Sequence, residues 1–172
     1  MTEGRAAIAA LRAMIGRETE PIVHVIDEGS IKFFAESISD PNPLYHDQEY
    51  AKQTLYKGII APPTFLGGST TLRNVKAGDD CVVSPISLPL AGPSRGVNGG
   101  DEFEFYVPIR PGDTLVSTAK LVDIVEKTGR SGPLLFLTTE RTYTNQRGEV
   151  AVVRRSTTIW RAEAEIAGGH DE

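Results

Sequence analysis

The chain has 172 residues, 40% of them hydrophobic and 24% charged, so it can bury a core of its own and is not a disordered polymer. Its formal net charge of -5 and the lack of clustered Lys and Arg argue against a nucleic-acid partner, and no run reaches the ~18 apolar residues of a membrane span. A single cysteine, Cys81, excludes an intramolecular disulfide; with only His24, His46 and His170 beside it a structural zinc site is not expected, no cofactor is implied, and a reducing cytoplasm is the natural compartment.

In chain order, residues 3–15 place Ile8, Leu11, Met14 and Ile15 at helical spacing, with Gly16 as a C-cap. Glu3 and Arg5 break up what would otherwise be the apolar core of a secretion signal. Pro21 ends the helix, and residues 22–26 read as a short strand containing His24, a structural histidine rather than a ligand. Ser30 is placed to cap a second helix with Ile31, Phe34 and Ile38 on one face. The run Ser39-Asp40-Pro41-Asn42-Pro43 predicts turns, and Asp47 caps a short helix to about Leu55, with Glu49 in its first turn. Pro63 suits the first turn of a helix over residues 63–75, in which Gly67 and Gly68 permit close packing.

Residues 76–100, rich in Pro and Gly, read as a long loop with a short strand at 81–83. Beyond it, residues 102–109, 114–127, 134–144 and 150–161 read as strands, the last two joined by the hairpin signal Asn145-Gln146-Arg147-Gly148. Helices first and a strand meander after predict an α+β fold, one domain over residues 1–165 with a frayed tail at 166–172.

Two stretches are the most specific: Ile31-Lys32-Phe33-Phe34-Ala35-Glu36-Ser37-Ile38-Ser39-Asp40-Pro41-Asn42-Pro43-Leu44-Tyr45-His46-Asp47, and Gly58-Ile59-Ile60-Ala61-Pro62-Pro63-Thr64-Phe65. With Asn98-Gly99-Gly100, Arg110-Pro111-Gly112-Asp113 and Tyr143-Thr144-Asn145-Gln146, they resemble the MaoC-like enoyl-CoA hydratase/dehydratase family, in particular its N-terminal-type, FAS1-like dehydratase half. The resemblance implies a hot-dog fold, in which a long central helix is wrapped by a curved antiparallel sheet, here preceded by an N-terminal helix. It also implies an acyl-CoA or other acyl thioester as ligand. The assembly implied is a homodimer or a hetero-oligomer with a second hot-dog subunit. An edge strand left open by a single curved sheet is a further reason to expect such pairing.

Hydrating an enoyl thioester takes a base to activate water, an acid to protonate the α-carbon and N–H donors to polarise the carbonyl. In the family an Asp-x-Asn-Pro-x-His stretch supplies the acid/base pair, and an Ala-His-Gly helix start supplies the N–H. On that pattern Asp40 stands at the Asp position and Asn42-Pro43 at Asn-Pro, but Tyr45 stands at the histidine position with His46 one residue later. Pro62-Pro63 replace His-Gly, and a proline has no N–H to give. The resemblance then implies an (R)-specific enoyl-CoA hydratase or 3-hydroxyacyl-thioester dehydratase subunit, the half with an incomplete dyad, paired with a catalytic half.

The candidate catalytic pair is Asp40 and His46, and the candidate substrate-binding residues are Asn42, Tyr45, Thr64 and Phe65. Each has a plainer reading: Asp40 and Asn42 as turn residues, His46 as a loop or cap histidine, Tyr45 as packing. Arg95, Lys127 and Arg130 could meet carrier phosphates, but lone surface charges are usually only solvated, and Cys81 has no base neighbour in sequence. An acyl-CoA thioesterase and a non-catalytic acyl-CoA-binding scaffold remain open beside the hydro-lyase, because fold alone does not choose among them.

Overall fold

A computed structural model describes residues 8–67, 94–129 and 132–162, with the side chains of 94, 95, 161 and 162 outside the description. Five strands, β1 (Ile22–Val25), β2 (Ser94–Phe105), β3 (Thr114–Gly129), β4 (Gly132–Asn145) and β5 (Val150–Ala162), form one sheet in the order β1-β3-β4-β5-β2. Every pairing is antiparallel. Register shifts between Leu121 and Asp123, Asn98 and Gly100, and Tyr143 and Thr144 are the bulges that let so long a sheet bend. At the β4–β5 hairpin, Asn145 Oδ1 accepts from the N–H groups of Arg147 and Glu149, and Gly148 takes a φ of 79°.

One face of the sheet is covered. Residues 8–12 are helical (α1) and place fully buried Leu11 against Leu121, Ile124, Leu135 and Leu137. At the other end α2 (Glu28–Ser37) turns Ile31 and Ala35 onto a larger core containing Phe65, Leu115, Tyr143 and Val152. Two short helices follow, α3 (Pro43–His46) and α4 (Gln48–Gln53), and then one 3-10 turn, Phe65–Gly67. His24 is buried, with Nε2 2.8 Å from Ser117 Oγ. No helix among the described residues is long and apolar enough to cross a membrane.

Several local expectations change. The cap of α2 is Asp27, not Ser30: its carboxylate accepts from the Ser30 N–H and from Ser30 Oγ, so the helix begins earlier. Pro43, the last residue of the expected turns, opens a helical turn over 43–46, because Asn42 caps it and Pro43 occupies its first position. Strand β2 begins at Ser94, inside the expected loop. Its glycines hid it, and their role is close approach: a Cβ at Gly96 would lie 3.1 Å from the Trp160 ring, and one at Gly99 would lie 2.9 Å from Ile159 Cγ1. Of the helix expected over 63–75, the part within the described residues is the 3-10 turn; residues 68–75, the strand at 81–83, Cys81, Arg130, His170 and the tail at 166–172 lie outside them.

Candidate functional site

The site is built from the bend after α2. Ser39 adopts a left-handed φ of 56°, which turns the chain so that the Asp40 N–H reaches Ala35 O at 2.9 Å. Two side-chain caps follow in relay. Asp40 Oδ1 accepts from the Asn42 N–H at 3.0 Å, and Asn42 Oδ1 accepts from the Leu44 N–H at 3.0 Å. This relay fixes the start of α3 and so the directions of Tyr45 and His46, which as neighbours on a helix diverge by about 100°. Tyr45 turns inward and is 7% exposed. His46 turns back, its Nε2 lying 2.9 Å from the main-chain carbonyl oxygen of Asp40. That oxygen only accepts, so Nε2 carries the proton in this bond.

Tyr45 lines a cavity of about 370 Å³. Leu44, Tyr45 and Tyr56 form one wall, residues 60–63 a second, and residues 105–109 the third. The second and third walls are joined by the Ala61 N–H bonding to Ile109 O at 2.9 Å. None of the described lining residues carries a charge, and Pro62, Pro63 and Pro108 contribute no N–H. Burial, then the nearby Asp40 carboxylate, then Tyr56, push the Tyr45 phenol above its ordinary range, so it is a neutral hydroxyl. At the rim the Tyr106 hydroxyl donates to Glu104 at 2.7 Å. Glu104 is held in turn by Arg155 at 2.8 Å, Arg155 by Glu140 at 2.9 Å, and Glu140 by Lys120 at 3.0 Å, a ladder of alternating charge across four strands.

The other candidates are not among the residues that line this cavity. Asn42 is exposed and caps α3. Thr64 lines a second cavity of about 460 Å³ with Phe34, Gly67, Asp101 and Phe103. Beside it Arg154 pairs with Asp101 at 2.8 Å and donates to Leu66 O at 3.2 Å. Phe65 is fully buried, edge-on to Phe34 at 5.7 Å. Lys127 lies over the Phe136 ring at 4.6 Å. Sequence reasoning missed Tyr56, Phe105 and Tyr106; the signal available was the aromatic pair Phe105-Tyr106 two residues ahead of Pro108, a residue that interior strands avoid. Among the described residues no group of three or more His, Cys, Asp or Glu is placed to hold a metal ion.

Comparison with known proteins gives consistent relatives. Residues 13–154 match the model of the FAS1-like, dehydratase domain region. A UPF0336 protein of Saccharopolyspora erythraea is 36% identical over 162 residues, covering 93% of this chain and 97% of the relative. A protein of Thermomonospora curvata named "Probable enoyl-CoA hydratase alpha subunit" is 31% identical over 133 residues, 73% of this chain and 41% of that protein. Among solved structures, the MaoC-like dehydratase of Rhodospirillum rubrum superposes with a TM-score of 0.61 at 25% identity, over 87% of this chain and 94% of that one. A chain of the ChsH1-ChsH2 complex of Mycobacterium tuberculosis superposes with a TM-score of 0.68 at 20% identity, over 95% and 99%, a likeness of fold.

Proposed function

Because this chain belongs to the FAS1-like dehydratase family of MaoC-like hot-dog domains, we propose that it is the acyl-thioester-binding half of an (R)-specific enoyl-CoA hydratase or 3-hydroxyacyl-thioester dehydratase, and that a second hot-dog subunit supplies the acid/base dyad. Its α+β fold is the hot-dog fold. One observation carries the proposal. The imidazole of His46 is turned onto the main chain of Asp40, and the side chain that reaches the cavity in its place is Tyr45. A phenol held above its ordinary range does not take a proton from water near neutral pH, whereas a histidine would. The carbonyl donor expected at the helix start is a proline. The arrangement favours binding over proton transfer.

Strand β2 supports the partner. It is twelve residues long and pairs with β5 alone among the described strands, and no other described strand lies along its second edge, the edge a second sheet would use. The relative of which this chain spans 41% is named an alpha subunit, and the fold neighbour from Mycobacterium tuberculosis is a two-protein complex. The test is loss of enoyl absorbance from crotonyl-CoA, with the pure chain and with the assembly purified from its source cell. The proposal expects turnover by the assembly alone. Full turnover by the pure chain would place the dyad in Asp40 and His46 after all, and thiol release without hydration would make the protein a thioesterase.

A further inference from the structure

We infer that the Tyr45 hydroxyl is the polar anchor of the 370 Å³ cavity, and that the cavity selects the uncharged, carbonyl-bearing end of a ligand and rejects carboxylates. The inference deepens the reading of the chain as a thioester-binding half. Tyr45 is 7% exposed and lines the cavity, and among the described residues no group accepts a hydrogen bond from its hydroxyl, which is not one of the fully buried unpaired atoms. Water therefore reaches the hydroxyl in the empty cavity, and a ligand carbonyl that accepts from it takes that water's place. Other donors in the walls are few. Three lining residues are prolines, the Ala61 N–H is taken by Ile109 O, and the Tyr106 hydroxyl is taken by Glu104. Tyr56 is only half-buried, so water can satisfy it.

The ligand's charge follows from the walls. A carboxylate entering would leave water for a cavity with no cationic side chain among its described lining residues and would approach the Asp40 charge that already bears on Tyr45. A thioester or ketone carbonyl needs one donor and carries no charge, which is what Tyr45 offers. The cavity therefore distinguishes an acyl thioester from the free acid its hydrolysis would release.

The test is ligand-observed NMR titration of the full chain and of Tyr45→Phe with three probes: the N-acetylcysteamine thioester of crotonate, cyclohexanone and crotonate, with toluene binding and a thermal melt as checks on the folded cavity. The expected result is binding of both neutral carbonyl probes at least tenfold tighter than crotonate, a loss of about tenfold for those two in Tyr45→Phe, and unchanged toluene binding. Equal binding of crotonate, no loss in Tyr45→Phe, or no binding of either neutral carbonyl probe overturns the inference. Cyclohexanone binding lost in Tyr45→Phe with no thioester binding keeps the anchor and overturns the thioester-binding role. Thioester binding that Tyr45→Phe leaves intact does the reverse.

Discussion

Replacing His46 with alanine separates a binding half from a catalytic one by size of effect. Among the described residues its ring makes one hydrogen bond, Nε2 to Asp40 O at 2.9 Å, in a half-buried setting. Such a bond contributes about 1 kcal/mol net. For a chain of this length each kcal/mol moves the melting temperature by about 2–4 °C, so His46→Ala should melt a few degrees lower. A general base lost from the reaction costs about 100-fold to 10,000-fold in rate. With the dyad on the partner subunit, the assembly carrying His46→Ala should instead hydrate crotonyl-CoA within about threefold of the parent, a modest stability loss being all that it transmits. Two measurements suffice: a melt of the isolated chain followed by circular dichroism, and initial hydration rates of the assembly below the melting range. A hundredfold loss of rate with a melt shifted by only a few degrees would refute the reasoning and make His46 a proton carrier.

Other consequences can be measured on the isolated chain. Leu11→Ala removes a fully buried side chain between α1 and the sheet and should cost about 2–3 kcal/mol in urea unfolding, whereas Ile15→Ala, at a position 41% exposed, should stay within about 0.5 kcal/mol. Gly99→Ala should cost about 1–3 kcal/mol, because the new Cβ would meet Ile159 Cγ1 at 2.9 Å and the Thr157 carbonyl oxygen at 3.0 Å, and a strand backbone cannot step aside. Hydrogen bonds from Lys120 and Arg155 hold the Glu140 carboxyl below its ordinary range against the opposing push of burial. A carboxyl depressed on folding contributes stability that is complete above its unfolded pKa of about 4.3 and is lost as pH falls through the folded value. Urea midpoints should therefore fall with acidification below that range, and Glu140→Gln should flatten the decline.

The strand meander was legible because alternation is a property of each strand by itself: Leu115, Ser117, Ala119 and Leu121 turn one way, and Asn145 to Gly148 mark the return. Strand β2 was not, since its glycines are explained by Trp160 and Ile159, which lie far along the chain and act only once β5 has paired with it. The cap of α2 was misplaced because Asp27 and Ser30 are both good cap residues, and the choice between them is made by where the chain leaves β1. At the site, the family motif drew attention to the right bend. It could not tell that His46 would close onto a main-chain oxygen, because that depends on Asn42 and Pro43 folding into a turn of helix instead of an open loop. Tyr56 and the adjacent pair Phe105 and Tyr106 reach the cavity from two segments far apart in the chain, a convergence that no local pattern encodes.

The four-residue helix α3 gives this bend an evolutionary property. Phenol and imidazole stand side by side on it, one inward and one turned back, and what separates their fates is spacing. Deleting one residue between Asp40 and His46 would advance the imidazole by one helical step, into the direction the phenol now takes. A lineage of paired subunits could thus shed or regain a proton-transferring group by the loss or gain of a single codon, leaving the sheet beneath untouched.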